Sequence, residues 1–345
     1  MIRLRFPIRF KILLTLLLVS SAVVGVITFT MARLFHTDKT AYIHDLTSVI
    51  ALHTAEEANA LLRGYGERLQ MFAQIMNDQD MQEEQKSALI QKMFESFPDF
   101  MAVTLYQDGK EKASVYDAKS FVDRGVFLKD VTADRAAHPL PLAAIIKGQS
   151  WVENSTLSEK LPMLTFAIAV SLPDGQKQVA SAVIDLEGLL NLASRSGAFE
   201  TFLVDAQGRL LAHTNLKQVV QRATANWIPR LQALRDQQSL GTTLEYKQQG
   251  VDMVGGFARV DTGGLLAGVQ IPQSAAFLTA RELLQDLVWV ALILLLVSAL
   301  IGMLGSGLIT RPMERLSEAA KVVATGQFDV QVKARSHDEM GDLAG

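Results

Sequence analysis

The sequence predicts an α+β chain: two tandem antiparallel-sheet modules carried on one long helix, with two transmembrane helices and a helical coiled-coil segment after the second. Three observations predict it. Two long runs carry no charge, a strand–turn–strand pattern occurs twice at an offset of 99 residues, and a heptad-spaced apolar seam follows the second run.

The uncharged runs are Ile12 to Ala32, 21 residues, and Leu287 to Ile309, 23 residues. Each is long enough to cross a hydrocarbon core about 30 Å thick. The first follows Arg3, Arg5, Arg9 and Lys11. It exceeds the 7–15 residues typical of a cleaved leader's apolar core, and Thr30-Met31-Ala32 is a poor cleavage site, so an uncleaved span is expected. The second is too long and too free of charge to be an ordinary buried core helix. Arg311, Arg315 and Lys321 follow it, whereas residues 33–286 have flanks of mixed sign. The excess of cations on one side places residues 1–11 and 310–345 in the cytoplasm and 33–286 outside the plasma (inner) membrane. The net charge of −3 argues against a nucleic-acid partner, and the absence of cysteine excludes disulfides and thiolate metal sites.

The outside segment is long enough for two cores of about 100 residues. It opens with a helical pattern over 33–77, with Leu62, Tyr65, Leu69, Phe72 and Met76 at steps of three and four and no proline. One continuous rod is expected, weakened but not broken by Gly64 and Gly66. A second helix, 82–96, ends near Pro98. The repeat then pairs FMAVTLYQDGKEKA (100–113) with FETFLVDAQGRLLA (199–212), aligning Phe100 with Phe199, Gly109 with Gly208 and Ala113 with Ala212. Each copy reads as strand, glycine turn, strand, and each module closes on a hairpin, 163–186 around Pro173-Asp174-Gly175 and 253–272 around Gly263-Gly264. The modules are expected at 99–195 and 196–280, after a helical stalk over 36–98.

Chemistry-bearing motifs are few. Gly255, Gly256, Gly263 and Gly264 lack the following Lys-Ser/Thr and helix of a phosphate loop, so turns and close packing account for them. His36, His44 and His53 are spaced by eight and nine, not by the four that a helical metal pair needs. His213 reads as a structural hydrogen-bonding residue, with a ligand role as the alternative. Asn154-Ser155-Thr156 matches a glycosylation sequon by chance in this setting. No catalytic triad, nucleotide-binding box, cyclase or kinase signature occurs, so no catalytic residue, cofactor or metal is expected within residues 1–345.

The long helix, the two modules, "FLVDAQGRLLAH" and "VQIPQSAAF" together resemble a double Cache sensor over about residues 36–280. The resemblance implies a distal and a proximal PAS-like module, with a small ligand held in the distal one. Ligand-binding candidates are Tyr106, Tyr116, Arg124, Trp151 and Asp185, aromatic or charged residues near strand ends. Asp185 matches a strand-end aspartate of amino-acid-binding Cache domains, and otherwise reads as the cap of a helix over 187–195. The Arg-x-Trp-Tyr run of that subgroup is absent, Arg124 being followed by Gly-Val-Phe, so the match does not extend to that subgroup's ligand. Aromatic residues with one or two charges suit a small polar ligand, with carboxylates and amines as the leading classes.

Residues 310–345 resemble a HAMP domain through Pro312, Glu314, the Gly326-x-Phe328 connector, and Asp338-Glu339-x-Gly341. Ile309, Met313, Leu316, Ala320 and Val323 step by 4, 3, 4, 3, the seam of a parallel coiled coil. Pro312 is expected in a first helical turn, and Gly326 as a stop. The second HAMP helix is expected to be incomplete at Gly345, with a cytoplasmic output domain beyond. Together these features imply a homodimeric bacterial transmembrane receptor. The alternatives are the regulatory front end of a membrane-bound cyclase, phosphatase or histidine kinase, and an anchored binding protein without signalling.

Overall fold

The computed structural model describes residues 8–172, 175–195, 197–228, 234, 241–276 and 278–325. The chain divides into two units, Thr40–Ala276 and the residues on either side of it.

Helix α1 runs Ile8–Asn77, so the first apolar run and the predicted rod are one helix. Helix α2 spans Glu83–Ser96. The first module contains strands β1 (Phe100–Gln107) and β2 (Lys110–Tyr116), short helices α3 (Ala118–Asp123), α4 (Leu128–Ala137) and α5 (Leu142–Ile146), strands β3 (Trp151–Asn154), β4 (Met163–Ser171) and β5 (Lys177–Asp185), and helix α6 (Glu187–Ser194). The second contains β6 (Glu200–Val204), β7 (Leu210–His213), α7 (Leu216–Val220), β8 (Thr242–Gln248), β9 (Val251–Val260), β10 (Leu265–Pro272) and the short helix α8 (Gln273–Ala276). Helix α9, Leu278–Ala324, holds the second apolar run.

Both sheets are five-stranded and antiparallel, with the orders β2-β1-β5-β4-β3 and β7-β6-β10-β9-β8. The two orders are the same topology repeated, as the repeat predicts. Gly109 and Gly208 occupy matching turns at φ +78° and +79°, a backbone region open to glycine without steric cost. In the second turn, Asp205 is fully buried and its Oδ1 accepts the N–H groups of Gln207 and Arg209, both at 2.9 Å, which folds the "VDAQGRL" segment back on itself.

The core lies along α1. Leu62, Tyr65, Leu69 and Phe72 are buried against the first sheet, where Phe72 stacks on Phe100 at 5.5 Å and Tyr65 meets it edge-on at 6.0 Å. Full burial of each such side chain is worth about 1.5–3 kcal/mol. The stretch that meets the second sheet is built from small residues, Ala51, Ala55 and Ala58. Here backbones touch: a Cβ placed on Gly256 in β9 would collide with the carbonyl of Thr47. Higher on α1, Asn59 Oδ1 accepts both the N–H (3.0 Å) and the hydroxyl (2.7 Å) of Thr262, tying the β9–β10 turn to the helix. Close packing thus explains Gly256, and a φ of +77° explains Gly263.

The other unit contains two stretches long and apolar enough to cross a membrane, Leu13–Leu34 and Gln285–Gly305. They pack antiparallel. Ser20 and Ser298 share a hydroxyl hydrogen bond of 2.8 Å, and Gly302 lets the side chains of Leu13 and Leu16 approach. Small and hydroxyl residues serve this purpose between helices in lipid. One expectation is corrected. Pro312 does not open a helix, because α9 continues through it from the second apolar run to Ala324. The preceding apolar segment supplies enough helical context to carry one missing N–H. Gly326, Phe328, Asp338, Glu339 and Gly341 lie outside the described residues.

Two substitutions test this packing through thermal unfolding of the whole chain in detergent micelles. Gly64→Ala, where an added Cβ meets nothing within 4 Å, should raise Tm by about 2–3 °C through helix propensity. Gly256→Ala should lower Tm by at least as much, because the helix and strand must separate to admit the methyl group.

Candidate functional site

The first sheet has two unlike faces, and strand register assigns every residue to one of them. Val152, Phe166, Ala182 and Val103 form one cross-strand row, and Leu164, Ile184 and Phe100 belong to the next. These residues belong to the core against α1. The residues between them line the opposite face. One row there is Trp151, Ala167, Ser181, Thr104 and Ser114, and the next is Glu153, Thr165, Val183, Ala102 and Tyr116. Tyr106 pairs with Val179, and Asp185 with Met163, on the same side. The 2.9 Å hydrogen bond between the Thr104 and Ser114 hydroxyls fits this assignment.

Four of the five predicted ligand residues, Tyr106, Tyr116, Trp151 and Asp185, therefore share one sheet face. The fifth, Arg124, follows α3 and donates from Nη1 to Asp185 Oδ2. Asp185, just before the α6 N-cap Leu186, also accepts the Glu187 N–H at 2.8 Å, so it ties the start of α6 as well as forming the ion pair. Tyr116 stands apart at the end of the edge strand, 49% exposed, in a groove lined by Ile90 and Phe94 of α2.

The segment α3–α5 covers this face in two apolar patches. Phe121 and Val126 pack on Met163 and Ala102 at one end, with Leu128, Val131 and Val183 partly buried around them. Ile145 packs on Ala167 and Val179 at the other end, alongside Tyr106 and Trp151. A polar strip crosses between the patches. Arg135 of α4 donates to Glu153 Oε1 at 2.6 Å and to the Thr165 hydroxyl at 2.5 Å. Trp151 Nε1–H donates to Glu153 Oε2 at 3.1 Å. Thr165 is fully buried, and the Glu153 side chain is 7% exposed. Tyr106 is held protonated more strongly than a free phenol, chiefly by desolvation and against the pull of Arg135.

Glu153, Arg135 and Thr165 were not among the sequence candidates. The available signal was small: Glu153 stands two residues after Trp151, the strand spacing that returns a side chain to the same face.

The corresponding face of the second sheet is filled differently. Phe202 lies 6.3 Å from both Trp227 and Phe257 and stacks on His213 at 6.0 Å. Cβ atoms on Gly268 or Gly255 would strike these rings or Tyr246. His213 Nδ1 accepts the Asn215 N–H at 2.8 Å, and burial pushes its pKa down, opposed by Glu200. His213 thus makes a structural hydrogen bond through Nδ1.

Among the described residues no group of three or more His, Cys, Asp or Glu side chains could hold a metal. Glu314 is exposed on α9.

Comparison with known proteins gives a family match and several structural likenesses. Residues 304–345 match the HAMP domain family. No curated protein matches the chain. The fold is similar to the sensory domain of the Campylobacter jejuni chemoreceptor Tlp3 with isoleucine bound, at 17% identity and a TM-score of 0.47 over 70% of this chain and 96% of that one. It is similar to the ligand-binding domain of the Pseudomonas aeruginosa chemoreceptor PctB in complex with L-Arg, at 18% and 0.45 over 69% and 96%. It is also similar to that of the Pseudomonas fluorescens chemoreceptor CtaA in complex with L-isoleucine, at 18% and 0.45 over 73% and 99%.

The buried His213 predicts a pH dependence. Because its folded pKa lies below the unfolded value of about 6.5, the unfolded state takes up the proton first as pH falls. The stability of the wild type relative to His213→Asn should be constant above about pH 6.5 and fall progressively below it, read as the difference in Tm across a pH series.

Proposed function

We propose that this chain is the sensing and relay part of a two-span membrane receptor. Residues 33–286 lie outside the plasma (inner) membrane, and both flanking segments face the cytoplasm. The polar face of the first sheet takes a small polar molecule, and the HAMP segment passes the resulting change to a cytoplasmic output domain. The observation that carries this reading is the charge pairing on that face. A sheet face covered by helices needs no ionised groups for stability, and buried ion pairs are weak contributors to it. Here two carboxylates, Asp185 and Glu153, are each closed by a guanidinium from the cover, Arg124 and Arg135.

Such pairs suit exchange. An amine can replace an arginine at either carboxylate, and a carboxylate can replace Asp185 at Arg124. Tyr106 and Trp151 supply the apolar wall, with Tyr116 at the rim. A molecule bearing both an ammonium and a carboxylate could satisfy both halves of one opened pair, which favours amino acids within the amine and carboxylate classes.

Relay requires two states of similar energy, biased by the ligand's differential affinity. A homodimer built on the seam of Ile309, Met313, Leu316, Ala320 and Val323 supplies them, with Pro312, Glu314, Gly326, Phe328, Asp338, Glu339 and Gly341 setting its geometry. Interface helices shift by about 1–2 Å in such transitions.

The test is a thermal-shift panel on the whole chain in detergent micelles, with the standard L-amino acids, simple amines and simple carboxylates each at 1 mM. A compound with Kd near 10 μM should stabilise by about 2.7 kcal/mol, several degrees in Tm. Asp185→Asn and Glu153→Gln should abolish the shift, while Glu245→Gln in the second module should keep it. A panel that moves nothing, or a shift that survives both site variants, would reject the reading.

A further inference from the structure

The polar strip does not end at the first module. Adjacent residues on α4 point two ways: Arg135 reaches inward to Glu153 and Thr165, while Asp134 faces the second module. There Asp134 Oδ2 accepts from Arg222 Nη2 at 3.0 Å. The same guanidinium donates to the carbonyl of Thr156, from Nε at 3.2 Å and Nη2 at 3.1 Å. Arg222 follows α7 at φ +48°, a left-handed position where glycine or asparagine is the usual residue. An arginine held there by three donated bonds, all into the first module, points to a function for its side chain.

Strand β3 joins the modules in the same way. Its Trp151 and Glu153 face the candidate site. Asn154, on the other face, donates from Nδ2 to the carbonyls of Leu210 and Val219, both at 2.8 Å. Arg209 of the second module reaches Glu153 Oε2 at 3.4 Å while holding Asp205 at 2.8 Å.

We propose that Arg222 is a latch that couples the cover of the first-module site to the second module: it holds the α4 turn through Asp134, so a ligand that draws Arg135 away from Glu153 also moves the β7–α7 region. Arg222 is a positioning residue and touches no ligand. The proposal rests on the first-module face being the ligand site, but the coupling exists without a ligand and is measured without one.

The experiment is hydrogen exchange on the whole chain in detergent micelles with no compound added. It compares wild type, Arg222→Asn, Asp134→Asn and the double variant. Asparagine at 222 suits the left-handed backbone, so the loop conformation is kept. Each single variant should speed exchange over residues 128–138 by about tenfold, the weight of one bond to a charged group. The double variant should do no more than either single one, and Arg222→Lys, which cannot fork to both partners, should fall between. If Arg222→Asn does not fold, Arg222→Lys combined with Asp134→Asn completes the same cycle. Faster exchange confined to residues 216–228, or single effects that multiply in the double variant, would overturn the latch. Either result would leave the ligand-site reading standing; an unresponsive thermal-shift panel would remove the ligand that works the latch, but not the Arg222–Asp134 coupling that exchange reads.

Discussion

Everything in the Thr40–Ala276 unit depends on one helix burying an apolar face of two sheets at once. The stretch of α1 that meets the first sheet uses large side chains, Leu62, Tyr65, Leu69 and Phe72, while the stretch against the second uses Ala51, Ala55 and Ala58. A helix of uniform residues could not do both, because backbone contact at Gly256 and ring packing at Phe100 need different separations. Once one face of each sheet is committed to α1, the two-residue period of a strand sends the alternate side chains to the other face. The composition of that second face is where the modules part company.

In the first module the second face carries Glu153, Thr165, Ser181, Thr104 and Asp185 under a cover of three short helices that supplies two arginines. In the second module the same position in the same topology is closed by Phe202, Phe257, Trp227 and Tyr246, with two glycines making room for the rings. One face holds ionic pairs, and the other is filled by its own side chains. That contrast assigns the proposed site to the first module more firmly than any single residue does. It also gives β3 its importance. Four residues long, this edge strand lends one set of side chains to the site and the other to the second module.

Much of this was legible in the sequence. The long helix has an unbroken three–four periodicity, the apolar runs have length, and the repeat preserves a turn glycine whose backbone angle recurs to within a degree. The short cover helices were not legible. α4 has no buried residue and α5 only Ile145, so neither leaves an amphipathic stripe to read. Nor could the sequence put Trp151 beside Ala167 or Arg124 beside Asp185. Those neighbours follow from the register of strands far apart in the chain, which local pattern does not encode. Pro312 misled for a related reason: its local preference for a first turn was overridden by a helix already running from the apolar segment before it.

The measurement that tests the receptor account most directly uses the absence of cysteine. Lys110 lies at the exposed β1–β2 turn, and Glu314 is exposed after the second apolar run. Single variants Lys110→Cys and Glu314→Cys can be treated in intact cells with a maleimide that does not cross membranes. A receptor of the proposed orientation gives labelling of Lys110→Cys in intact cells and of Glu314→Cys only after permeabilisation. Labelling of both in intact cells, or of neither, would contradict a chain that senses on one side of the membrane and relays on the other.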